Sequence, residues 1–94
     1  MSEETCRIDV WLWRARFLKT RALAAKFVED GRVRLERPGL GPPARLDKPS
    51  RTIRPGDQLT FAIAARVFAI RIEALGERRG PATEAQALYS DLPA

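Results

Sequence analysis

The sequence predicts one α+β domain: two helices, then a small antiparallel sheet, then a short terminal helix. Three observations carry this. Apolar residues recur at helical spacing over the first thirty positions. From Gly31 the spacing switches to strict alternation. Glycine and proline gather between the alternating runs, around 38–43, 55–56 and 76–81, where chain reversals belong. Ninety-four residues suit a single domain with a modest core.

The first helix is expected over Arg7–Leu18. Ile8, Trp11, Leu12, Ala15 and Leu18 share one face, and Val10, Trp13 and Phe17 lie on the other. A helix apolar on two sides packs between two neighbours. Trp13 and Phe17 then have two readings, packing against the sheet or stacking nucleobases; the two-sided pattern favours packing. Thr20 is placed to cap a second helix running to about Asp30, with Leu23, Ala24, Phe27 and Val28 as its buried stripe and Gly31 as its stop. So short a connection lays the two helices against each other.

Val33 and Leu35 alternate with Arg32, Arg34 and Glu36, which describes a strand with one apolar face. The run 37–43 is too rich in glycine and proline for regular structure. Residues 45–53 read as a short strand or extended piece. Arg54-Pro55-Gly56-Asp57 fits a type II turn. Leu59, Phe61 and Ile63, then Phe68, Ile70 and Ile72, form a hairpin. Pro81 is suited to open a last helix that carries Thr83 through Tyr89 for about two turns, since a first helical position needs no amide.

Composition narrows the function. Histidine is absent and there is one cysteine, Cys6. A Ser-His-Asp or Cys-His catalytic set, an imidazole metal site and an internal disulfide are therefore excluded. No cofactor and no metal are expected. No apolar run reaches membrane-spanning length and no secretion signal is visible, so no membrane partner and a cytoplasmic location are expected. A reactive Cys6 would need a lowered pKa and exposure.

Charge is unevenly placed. The chain carries +5, with a pI near 10.3. Residues 7–54 hold thirteen bases against five acids, a net +8. A concentrated basic region on a small domain fits a polyanion partner. Lys19 and Arg21 flank the start of the second helix, where free amides add positive charge. The alternative for Arg21 is an ion pair with Asp9 or Glu29.

Arg7, Ile8, Asp9 and Leu12, then Thr20, Arg21, Ala24, Val28, Gly31, Val33 and Leu35, follow a pattern that resembles the S4 RNA-binding domain. Lys48-Pro49-Ser50-Arg51 and Gly56-Asp57-x-Leu59 resemble the rest of it. Trp11–Arg21 and Glu77–Tyr89 are similar to the stand-alone S4 proteins of the heat shock protein 15 type. The resemblance implies an S4-like (alpha-L) fold over residues 7–75, with residues 76–94 as a C-terminal loop and short helix packed on it or extending it. It further implies a non-enzymatic protein that binds structured ribosomal RNA, on the large subunit, in rescue of dissociated subunits still carrying peptidyl-tRNA. The implied RNA-binding residues are Arg7, Arg14, Lys19, Thr20, Arg21, Lys26, Arg32, Arg34, Lys48, Ser50 and Arg51. A monomer and no small-molecule substrate are expected. The chain departs from the family at Glu36-Arg37-Pro38-Gly39, where other members often close the strand with Asn-Gly.

Two rival classes share some of these features. S4 domains also occur as appendages of RNA-modifying enzymes such as pseudouridine synthases, but this length leaves no room for a catalytic domain. A DNA-binding helix-turn-helix fits poorly, because the second helix runs at once into a strand instead of presenting an outer face to a groove.

Overall fold

The structure, a computed structural model, describes residues 4–93. In chain order it contains β1 (Cys6–Arg7), α1 (Ile8–Arg14), α2 (Arg21–Glu29), β2 (Val33–Glu36), β3 (Ala44–Leu46), β4 (Thr52–Ile53), β5 (Gln58–Ile63), β6 (Arg66–Ile72), α3 (Ala82–Gln86) and β7 (Tyr89–Asp91). Five strands form an antiparallel sheet ordered β3-β2-β5-β6-β7, and β1 pairs with β4 in a separate ribbon. The α+β architecture is the one the spacing predicts.

The first helix is shorter than expected, and its end explains why. Ala15 closes α1 and Arg16 follows with φ +65°. The Arg16 amide donates to Trp13 and the Phe17 amide to Leu12, which is the double closure of a Schellman motif. Phe17 then packs on Trp11, ring centres 6.2 Å apart, as the residue after such a stop commonly does. The left-handed position is held by Arg16 itself, whose Nε donates to the Gly80 carbonyl at 2.6 Å. Glycine is the usual occupant there, so an arginine gives no stop signal in the sequence.

The start and stop of α2 match expectation. The Thr20 hydroxyl accepts from the Leu23 amide at 3.0 Å, and Gly31 takes φ +73° beyond the last turn. Ala24, Phe27 and Val28 are buried. Leu23 is not; it is 50% exposed. It lies off the stripe that meets the sheet, above a shallow groove lined by Leu18, Phe27 and Ile63.

Val33 and Leu35 point inward from β2, with Leu59 and Phe61 as their partners on β5. Leu59 and Phe61 in turn face Ile70 and Phe68 on β6. The reversal at Ala64-Ala65 puts both residues at positive φ, 52° and 67°. That is a two-residue primed turn built without glycine or asparagine. Residues 45–53 are not one extended piece: β3 and β4 flank a turn at 48–51, and β4 leaves the main sheet to pair with β1. Gly56, at φ +95°, completes the predicted 54–57 turn.

The last helix is also shorter than expected. Pro81 is its N-cap and α3 stops at Gln86. Tyr89 is not helical: Tyr89–Asp91 is a strand on β6, with Tyr89 opposite Ile72. The segment leading there is tied to α1 by side chains. Trp11 Nε1 donates to Ala74, Arg14 to Gly76, Arg16 to Gly80, and Arg79 returns a bond to the Trp13 carbonyl. Phe17 sits at the centre of the aromatic packing, 4.8 to 5.2 Å from the rings of Tyr89, Phe61 and Phe68.

Candidate nucleic-acid interface

The N-terminus of α1 is seated in the 48–51 turn. The Ile8 amide donates to the Arg51 carbonyl at 2.8 Å and the Asp9 amide to the Pro49 carbonyl at 3.3 Å. Arg51 closes the turn by donating to Lys48 at 3.0 Å. β1 pairs Arg7 with Thr52. Arg7, Lys48, Ser50 and Arg51, forty residues apart in sequence, therefore meet at one exposed corner. The first two amides of α1 are already satisfied, so this corner offers side chains, with little backbone contribution. Asp9 is buried beneath it and accepts two bonds from Arg7, at 3.1 and 2.9 Å, plus the Val10 amide. The Asp9 partner is thus Arg7, and the alternative of Arg21 pairing with Asp9 falls. The bond to Asp9 raises the Arg7 pKa above its ordinary value, so the guanidinium stays charged.

Lys19, Thr20 and Arg21 lie at the start of α2. Arg21 lies over the half-buried Trp13 ring at 5.8 Å. Its charge also reaches the Cys6 thiol. Thr20 spends its hydroxyl oxygen on the cap. Its O–H donor and one lone pair remain. Among the described residues Lys19, Arg21, Lys48 and Arg51 pair with no carboxylate. Cations without acids in a closed cluster keep their full charge for a ligand.

Other expected residues go elsewhere. Arg14 hydrogen-bonds the carbonyls of Gly76 at 2.9 Å and Leu75 at 3.5 Å, with the Cys6 sulfur 3.7 Å away. Its Nε is buried without a partner. Arg14 acts as a strap on the chain after β6. Lys26 is exposed and paired to Asp30 at 3.0 Å across one helical turn; that bond raises its pKa, so it stays protonated. Arg32 lies over Phe27 at 4.8 Å, at the edge between α2 and the sheet. Arg34 stands on the sheet face opposite the buried Val33 and Leu35. Arg45, which the family resemblance does not imply, is Arg34's register partner on β3. Strand pairing across the 37–43 loop is invisible to periodicity, so no local signal marks it.

The proline-rich loop leaves Arg37 in a structural role. Its guanidinium makes two bonds to Asp57, at 2.8 and 2.9 Å, and Asp57 is 1% exposed. Cys6 is half-buried; its S–H donates to the Arg7 carbonyl at 3.4 Å and its sulfur accepts from Arg14 Nη1 at 3.7 Å. Burial pushes the thiol pKa up, against the pull of Arg14. That is the opposite of a reactive cysteine. Among the described residues no cluster of acids and cysteine could hold a metal ion. No helix there is long and apolar enough to cross a membrane.

Residues 6–36, which contain β1, both long helices and β2, match the S4 domain. The chain is 36% identical over 85 residues to heat shock protein 15 of Escherichia coli K12, covering 90% of this chain and 59% of that protein. It is 35% identical over 91 residues to the heat shock protein 15 homolog of Haemophilus influenzae, covering 97% and 64%. The chain thus spans about three-fifths of the length of these curated relatives. A solved structure, described as a trimeric structure of Vibrio cholerae heat shock protein 15, superposes with a TM-score of 0.82 at 38% identity, over 95% of this chain and 83% of that one. Sequence and fold agree over nearly the whole length, and the chain belongs to the S4-domain family of heat shock protein 15.

Proposed function

We propose that this chain is a non-enzymatic protein that binds structured ribosomal RNA on the large subunit, in the cytoplasm. In this reading it takes part in rescuing dissociated subunits that still carry peptidyl-tRNA. The observation that carries the RNA-binding part is the corner made by Arg7, Lys48, Ser50 and Arg51, whose Lys48 and Arg51, like Lys19 and Arg21 at the start of α2, pair with no carboxylate among the described residues. Duplex RNA hides its bases in a deep, narrow major groove, so a rigid set of cations matched to phosphates and 2′-hydroxyls suits it. Arginine adds a planar fork for bidentate phosphate contact. The match to the S4 domain supports the same partner. The reading takes the chain as a monomer, whereas the Vibrio cholerae neighbour is described as a trimer.

The test is a titration against purified large-subunit ribosomal RNA at several salt concentrations. Neutralising about 5–7 phosphates gives a log–log slope of roughly −3.5 to −6. Lys19→Ala, Arg21→Ala and Arg51→Ala should each lose about 1–2 kcal/mol of affinity, the scale of a charge-assisted hydrogen bond. Arg66→Ala, on the late hairpin, should lose far less. A slope near zero would end the polyanion reading, and equal losses at all four positions would mean diffuse attraction without a site.

A further inference from the structure

The pairing of β2 with β3 sets two arginines side by side. Arg34 is directly opposite Arg45, and Thr60 of β5 lies on its other flank. Val33, Leu35 and Leu46 are buried, so alternation places Arg34 and Arg45 on the outer face of the sheet, away from α1 and α2. Both are exposed, and neither has a carboxylate partner among the described residues. Asp47 follows β3 immediately and forms no ion pair with either. Like charges directly opposite weaken a strand pair. β3 has three residues and is an edge, the element least able to absorb that cost. The Arg45 stem is nevertheless seated: it runs over Gly31, where a Cβ would come within 3.2 Å of Cδ. Three residues after Arg45 the chain reaches Lys48, in the turn that receives α1.

We propose that Arg34 and Arg45 form a second phosphate site, in which one phosphodiester of an RNA backbone sits between the two guanidiniums after the RNA has crossed the β3 edge from the Lys48–Arg51 turn. The inference rests on the RNA-binding reading above and extends its surface to the opposite face of the sheet. Two planar forks carried on adjacent strands bracket phosphate oxygens bidentately. A bound anion also cancels the repulsion that the empty pair carries. The site then takes RNA specifically as a backbone, with no base contact.

Arg45→Ala, Arg45→Lys, Arg34→Ala/Arg45→Ala and Arg71→Ala report on it, each measured for affinity and salt slope against purified large-subunit ribosomal RNA and for melting without RNA. Arg71 lies on the same face two strands away, beside Gln58 and Ser90, and serves as the control. Arg45→Ala should weaken binding about 5- to 20-fold and reduce the slope by about 0.7–0.9, the loss of one phosphate contact. Its melting temperature should hold or rise, because a repulsive pair is relieved. Arg45→Lys should recover part of the affinity, and Arg71→Ala should change it less than about twofold. An Arg45→Ala protein with wild-type affinity and slope overturns the second site while leaving the first intact. Lost affinity with an unchanged slope and a lowered melting temperature also overturns it, since Arg45 would then be structural. If the wild-type chain fails to bind the RNA at any salt, the RNA reading falls as a whole.

Discussion

Asp57 is a full charge held at 1% exposure, and its partners define its role. Arg37 supplies two bonds and the Arg54 amide a third at 3.0 Å. Its carbonyl also receives the Ile72 amide, so the turn before β5 is pinned to the end of β6. Removing one partner of a buried pair strands the other charge. Arg37→Ala should therefore destabilise by about 3 kcal/mol in urea unfolding, with RNA affinity of the folded protein unchanged. An unmoved midpoint would show that the clasp contributes nothing. Cys6 gives a pH-dependent check. Burial raises its pKa above the ordinary 9.0, so the folded state disfavours the thiolate. The stabilising contribution is complete below that value and is lost as pH rises through the higher folded pKa. At pH 8 the thiol should react with a disulfide reagent more slowly than a free cysteine does, and a faster reaction would contradict the burial.

The turn between β5 and β6 and the segment after β6 each make a separate claim about how elements hold together. Ala64 and Ala65 both occupy left-handed backbone, which costs an L-residue roughly 1–2 kcal/mol at each position. Ala64→Asn with Ala65→Gly should raise stability by about 1–2 kcal/mol, read as a higher melting temperature. A drop would mean that the two methyls pack against something the backbone does not reveal. The terminal strand answers a different question. Leu88 is buried, Tyr89 packs on Phe17 and Trp11, and the Leu88 carbonyl accepts from Glu73 and Ala74. Deleting residues 80–94 removes these side chains, strips β6 of its outer partner and frees Arg16. The loss should be at least about 3 kcal/mol, from 1.5–3 per large apolar side chain. An unchanged melting curve would show the segment to be an appendage.

Apart from Arg54, the cations fall into two populations. Arg7, Lys26, Arg37 and Arg78 pair with carboxylates, and Arg14, Arg16 and Arg79 bind carbonyls. Lys19, Arg21, Arg32, Arg34, Arg45, Lys48, Arg51, Arg66 and Arg71 do neither among the described residues. Those nine repel one another and lower the stability of the free fold. Raising salt from about 10 to 150 mM, which shortens the screening length from about 30 to 8 Å, should raise the melting temperature of the free protein while weakening RNA binding. Responses of the same sign would show that the free cations do not dominate either property. Much of this architecture is readable from local chemistry. Alternation exposes the inward faces of β2, β5 and β6, Thr20 and Gly31 bound α2, and Pro55-Gly56 makes its turn, because each signal depends on neighbouring residues alone. The charged region is readable too, since it is a matter of count. Which cations are free is not. Arg14 looks like any other basic residue on an exposed edge until the chain after β6 brings two carbonyls to it. Arg45 acquires its neighbour Arg34 only through pairing across a proline-rich loop. The early end of α1 depends on a carbonyl sixty-four residues away, and the strand at Tyr89–Asp91 on the open edge of β6. Ion pairs, register and sheet edges join residues distant in sequence, and the packed chain alone determines which of them meet.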